Sequence, residues 1–170
     1  MPTPDPGRAI VRAALLVVTS LVAAACGGAA ADAPRAETCV DWVPFAAPAD
    51  AVAAADLVVR TTGPAAASGT VALLGADATM HAVPVEQVVA GTGARPGEVL
   101  DVASTPETCT GDGPYPGGDP LDAPGTLLVL LERDADSGSW RTLTPGQGVV
   151  AAADGTVPAS WPADAGGSGS

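Results

Sequence analysis

Leu127-Leu128-Val129-Leu130-Leu131 is an uninterrupted aliphatic run, set between Gly125-Thr126 and Glu132-Arg133. A run this short, bounded by turn and charged residues, reads as a strand. Successive side chains of a strand point to opposite faces, so this one must be covered twice: by the interior of a barrel on one side and by a helix or loop on the other.

Upstream, residues 105–125 form a long Pro-, Gly- and Asp-rich stretch that reads as a loop, and residues 99–103 before it read as a strand. Further strands are expected at 57–61, 70–74 and 80–89, and downstream around 140–143. Pro84 cannot donate to a ladder, which places the middle of the 80–89 strand at a sheet edge or a bulge. Residues 48–56, Pro-Ala-Asp-Ala-Val-Ala-Ala-Ala-Asp, have Pro early, an acid in the first turn and an Ala-rich body, and suit one or two helical turns. The chain is therefore expected to be mostly β, with a short helix and long loops, over residues 38–161.

The 170 residues carry 19 acids against seven cations, all of them Arg, for a formal charge of −12. Phosphate binding needs a cationic surface, so no nucleic-acid partner is expected. The excess of Arg, Ala and Gly matches the coding bias of a high-GC genome. With three Trp, one Tyr and one Phe, the core must be built mainly from Val and Leu.

At the N-terminus, Arg8 and Arg12 precede an apolar run over residues 13–25. It is too short for a bilayer span, which takes about 20 residues, and reads as the core of a signal peptide over residues 1–25. Ala23-Ala24-Ala25-Cys26-Gly27 follows and resembles the lipobox of bacterial lipoproteins of the actinobacterial type, although Leu is commonest where Ala23 stands. That resemblance implies cleavage before Cys26, two acyl chains on its thiol and lipid anchoring on the outer face of the cell membrane. The alternative is an ordinary A-x-A cleavage site and a freely secreted product. Loss of residues 1–25 leaves 18 acids and five Arg, a formal −13 that anionic headgroups repel, so attachment would have to be covalent. Residues 26–37 then form the lipidated Cys and a Gly/Ala/Pro tether with a reach of about 17–20 Å, and residues 162–170 a disordered tail.

With Cys26 lipidated, Cys39 and Cys109 remain in a compartment where disulfides persist, and they are expected to pair. Two Cys without neighbouring His cannot complete a zinc tetrahedron, so no metal is assigned to them.

The order Ala55-Asp56-Leu57-Val58-Val59-Arg60, then His81 through Gly91 (HAVPVEQVVAG), Val99-Leu100-Asp101-Val102, Cys109 and Gly125-Thr126-Leu127-Leu128-Val129-Leu130 resembles the netrin-module and tissue-inhibitor-of-metalloproteinase group of OB-folds. The resemblance covers roughly residues 50–132 and implies a small five-stranded barrel whose loops bind other molecules. It does not carry over protease inhibition, which uses a free N-terminal Cys amine close to the barrel. Ala90 also replaces the Lys usual before that Gly.

Catalytic signatures are absent. His81 is the only His, stands in a predicted strand without a nucleophile elbow or papain-like Cys near it, and is read as a structural hydrogen-bonding residue. Gly91-Thr92-Gly93-Ala94-Arg95-Pro96-Gly97 lacks the Lys-Ser/Thr ending of a phosphate loop and reads as a hairpin loop. Asp112, Asp119 and Asp122 could hold Ca²⁺, but their spacing is not that of an EF-hand and such clusters are ordinary turns. No cofactor and no metal are expected. The candidate ligand-contact loop is the one carrying Asp112, Tyr115, Asp119 and Asp122, with Tyr115 exposed. Two functional classes remain: a membrane-tethered extracytoplasmic module binding a protein or a cell-envelope polymer, or a cell-surface hydrolase working through paired carboxylates.

Overall fold

The computed structural model describes residues 39–162, so the signal peptide, Cys26, the tether and the tail from 163 onward lie outside the described residues. Among the described residues no helix is long and apolar enough to cross a membrane.

The elements are α1 (Pro48–Ala54), β1 (Leu57–Gly63), β2 (Ala66–Leu73), β3 (Ala76–Pro84), β4 (Gln87–Gly91), β5 (Val99–Ala103), a 3-10 turn (Pro120–Asp122), β6 (Gly125–Arg133), β7 (Trp140–Thr142) and β8 (Val149–Ala151). The protein is mostly β, as its sequence implies.

Strand β6 organises the sheet. One of its edges pairs antiparallel with the whole of β1, from Leu57↔Leu131 to Gly63↔Gly125. Its other edge pairs with β7 at Leu131↔Thr142 and with β8 at Leu128↔Val150. Both faces are covered as well. Leu127, Val129 and Leu131 pack with Leu57, Val59, Val83, Val102, Leu121 and Trp140, whereas Leu128 and Leu130 pack with Val58, Leu143, Val150 and Ala51 of α1. Burial of each such Leu contributes about 1.5–3 kcal/mol, which is why this run is aliphatic without alternation.

The 80–89 run divides at Pro84. Strand β3 ends there, Val85 turns into the core, and β4 leaves β3's neighbours to pair with β1, with a register shift between Val58 and Val59 that marks a bulge. Pro64 likewise interrupts β1 and β2, because it has no N–H for a ladder. Gly91 closes β4 with φ +81, and a Cβ there would overlap the Asp56 carbonyl, so only glycine fits.

Six strand segments and a five-stranded barrel were expected; eight strands are present among the described residues. The pairing order is β2-β3-β5-β7-β6-β1-β4 with β8 on β6, an open path whose ends β2 and β4 are not paired with one another. Among the described residues the only parallel pair is the short β5/β7 ladder, Val102↔Trp140 and Ala103↔Arg141. Residues 92–98 connect β4 to β5 as a loop, but β5 pairs with β3, so the simple hairpin expected there is replaced by a strand exchange across the Val85 break.

Candidate functional site

Polar side chains fix the course of the long loop between β5 and β6. At its root, Thr105 N donates to Thr142 Oγ1 at 2.8 Å and Thr105 Oγ1 donates to the Thr142 carbonyl, which ties the loop to β7. Next comes the Cys39–Cys109 disulfide, with Cα atoms 5.5 Å apart. Beside it Val40 N donates to Thr108 Oγ1 at 3.0 Å, so the entering chain is held to the loop twice.

Tyr115 is half-buried, where an exposed ring was expected. Its hydroxyl donates to the Ser104 carbonyl at 2.6 Å and accepts from Thr79 N at 2.9 Å. Burial, aided by the Asp119 charge, pushes the phenol above its ordinary 10.0 despite these hydrogen bonds.

Asp119 turns inward. One carboxylate oxygen accepts from Ser104 Oγ at 2.7 Å and from Leu121 N at 3.0 Å, the latter capping the 3-10 turn; the other lies 2.9 Å from His81 Nε2. His81 is fully buried on β3, and its Nδ1 is 3.3 Å from the Ala65 carbonyl. Burial alone would lower the imidazole, but the hydrogen bond and charge of Asp119, the Ala65 carbonyl and the charge of Asp122 outweigh it and hold His81 above its ordinary 6.5. Burial would likewise raise Asp119, but its hydrogen bonds from His81, Ser104 and Leu121 and the His81 charge keep it below 3.8. Within the turn, fully buried Leu121 inserts into the core, and its carbonyl accepts from Ala65 N at 2.9 Å.

Of the four loop residues singled out from sequence, Tyr115 and Asp119 thus build the loop, while Asp112 and Asp122 are exposed. The Asp119 carboxylate is committed to protein donors, and among the described residues no group of three or more His, Cys, Asp or Glu is arranged to hold a metal ion. The sequence reading of His81 as a hydrogen-bonding residue stands, but its partner was missed. Asp119 lies 38 positions away in a stretch whose Pro/Gly/Asp composition signals only turns. The one available hint was a titratable residue on the inward face of a strand.

A second feature was not anticipated. Residues Asp56, Thr92, Gly93, Arg133 and Trp140 line a shallow groove at the end of β6. The Arg133 guanidinium lies 3.7 Å from the centre of the Trp140 ring and donates to the Gly138 carbonyl at 2.8 Å. Arg133 N donates to the Asp56 carboxylate at 2.9 Å. The stack closes the core end of the sheet over Trp140, which is 6% exposed.

The carboxylates with displaced pKa values, Asp119, Asp134 and Asp154, are all displaced downward. A carboxyl that serves as general acid needs the opposite direction. No family model, characterised protein or solved structure matches the chain.

Proposed function

We propose that the chain is a lipid-tethered extracytoplasmic binding module, an OB-type barrel that presents the 105–124 loop to a protein or cell-envelope polymer. Support for the barrel comes from register. Only Pro64 and Ala65 separate β1 from β2, and only Val85 and Glu86 separate β3 from β4. Taken as two bent strands, they pair with each other at both ends, β2 with β3 and β1 with β4. The eight segments then reduce to a central set of five strands with β8 added, and the two ends of the path belong to strands that are already partners. This is the order expected of an OB-fold, whose short closing contact between the third and fifth strands corresponds to the parallel β5/β7 ladder.

The observation that carries the binding reading is the burial of His81 with both ring nitrogens against oxygen atoms. The chain's one imidazole is spent on fixing a loop, not presented to a substrate. A fixed, exposed loop tip favours association, because little ordering entropy remains to be lost on binding. Paired-carboxylate hydrolysis is the weaker reading, since the displaced carboxylates shift away from the proton-donor range.

A photo-crosslinking residue at position 112 of the full chain, expressed in cells, tests the proposal. A discrete adduct is expected from position 112 and not from position 154. Equal labelling at both positions, or none at 112, would count against it.

A further inference from the structure

The environment of His81 has a consequence for the loop that is independent of what the loop binds. Nδ1 faces the Ala65 carbonyl and Nε2 faces the Asp119 carboxylate, and both of these oxygens can only accept. A neutral ring has one N–H. It can satisfy one oxygen, and the lone pair on its other nitrogen is then turned against the second. Only the imidazolium donates to both.

These contacts hold three pieces of chain together. Ala65 lies in the β1–β2 connection, His81 on β3 and Asp119 at the far end of the loop. Asp119 also binds Ser104 at the loop's root, and Leu121 binds Ala65. The charges acting on the ring are those of Asp119 and Asp122 from the loop; β5 contributes Val102 opposite His81, the residue after that strand the Ser104 hydroxyl on Asp119, and the β1–β2 connection the Ala65 carbonyl. Tyr115 is joined to this cluster through the Ser104 carbonyl and Thr79 N and makes no hydrogen bond to the ring.

We propose that His81 and Asp119 form a pH-operated latch, which fastens residues 104–122 to the sheet while His81 is an imidazolium and loosens them when the ring loses its proton. The direction follows from linkage. The imidazole is held above 6.5, so its stabilising effect is complete below that value and is lost as pH rises through the folded-state midpoint. The latch is closed on the acid side of that midpoint, which lies above 6.5, and opens as pH rises through it.

His81 is the only histidine, so ring-labelled full chain gives one unambiguous pair of nitrogen resonances. At the acid end of the titration both nitrogens should be protonated and donating. As the ring titrates, amide hydrogen-exchange protection in residues 105–122, corrected for the intrinsic rate, should fall about tenfold with the same midpoint, the factor for losing one charge-assisted hydrogen bond. Protection in β6 should stay constant. Asp119→Asn keeps an acceptor but removes the charge; it should lower the ring's midpoint and shift the loop's loss of protection down with it. A single neutral tautomer at pH 6 would overturn the latch. So would loop protection that is flat across the His81 titration, or that falls together with β6. Should Asp119→Asn fail to fold, the wild-type titration decides alone.

Discussion

The side-chain amide of Gln147 forms a two-point clamp on the backbone of Phe45, accepting from its N–H at 2.7 Å and donating to its carbonyl at 3.2 Å across 102 positions. The geometry imitates one rung of a β-ladder. Trp161 Nε1 donates to the same carbonyl at 2.8 Å, so the entering and leaving ends of the domain meet at Phe45. Gln147 is 8% exposed. Its truncation to Ala leaves the Phe45 N–H without its acceptor, and Gln147→Ala should cost about 1–3 kcal/mol. Gln147→Glu retains the acceptor and loses the donor, and should fall between wild type and Ala at pH 7. Urea unfolding midpoints of the three proteins check the order.

The Cys39–Cys109 bridge spans 70 positions and encloses β1 through β5. In the chain-entropy model a loop of that length contributes roughly 4 kcal/mol, a large share of the net stability of a small domain. Reductant should therefore lower the unfolding midpoint strongly. Protein isolated without reductant should yield the two cysteines as one cross-linked peptide pair by mass spectrometry. Recovery of both as alkylatable thiols would remove the bridge from the account of stability.

Local chemistry made most of the fold legible. Strand β5 was readable to the residue, the Ala-rich helix to within two, and the double burial of 127–131 from its lack of alternation. Pro84 announced the break between β3 and β4, because a residue without an N–H interrupts a ladder wherever it falls. Strand β8, Val149–Ala151, was not readable: three residues beside Gly148 carry no period, and only the free edge of β6 makes them a strand. The start of β2 was hidden in the same way, since Ala66, Ala67 and Ser68 are exposed residues of weak strand preference that pair because β3 lies beside them. The site was legible in composition but not in direction. Asp112, Tyr115, Asp119 and Asp122 look alike in a turn-rich stretch, and which of them faces inward depends on where β3 places His81, a non-local fact.

Acid should weaken the domain through Asp119. Its folded-state pKa lies below 3.8, so the stability it contributes is present above the ordinary carboxylate range and is lost as pH falls through the folded value. In that window His81 is charged in both folded and unfolded chains and cancels. Between about pH 5 and pH 2 the urea midpoint of the wild type should drop more steeply than that of Asp119→Asn, which has no carboxylate to protonate at that position. Equal slopes would mean that other acids govern acid unfolding.

Anchoring is tested at Cys26, outside the described residues. The full chain should incorporate labelled palmitate and partition into detergent, and Cys26→Ser should abolish the label and either release the chain or block its processing, because two acyl chains are needed for stable attachment. Wild-type protein found wholly in the medium with an unmodified Cys26 would end the lipoprotein reading.

Leu121 is the apolar counterpart of the polar latch. It sits in a turn of three residues, held by the Asp119 cap and by its carbonyl's hydrogen bond to Ala65 N, and its side chain is fully buried among Leu127, Val83 and their neighbours. A loop residue buried to that degree plugs the core where the sheet leaves it uncovered. Leu121→Ala should cost about 2–5 kcal/mol, the range for removing a buried leucine, with the upper part applying if the rigid sheet cannot collapse around the cavity. The loss should also be local. Hydrogen-exchange protection in residues 105–122 should fall further than the global midpoint requires, since the same residue secures the loop and fills the core. If the variant loses global stability while the loop keeps its protection relative to β6, the loop is held by Tyr115, Asp119 and the disulfide alone.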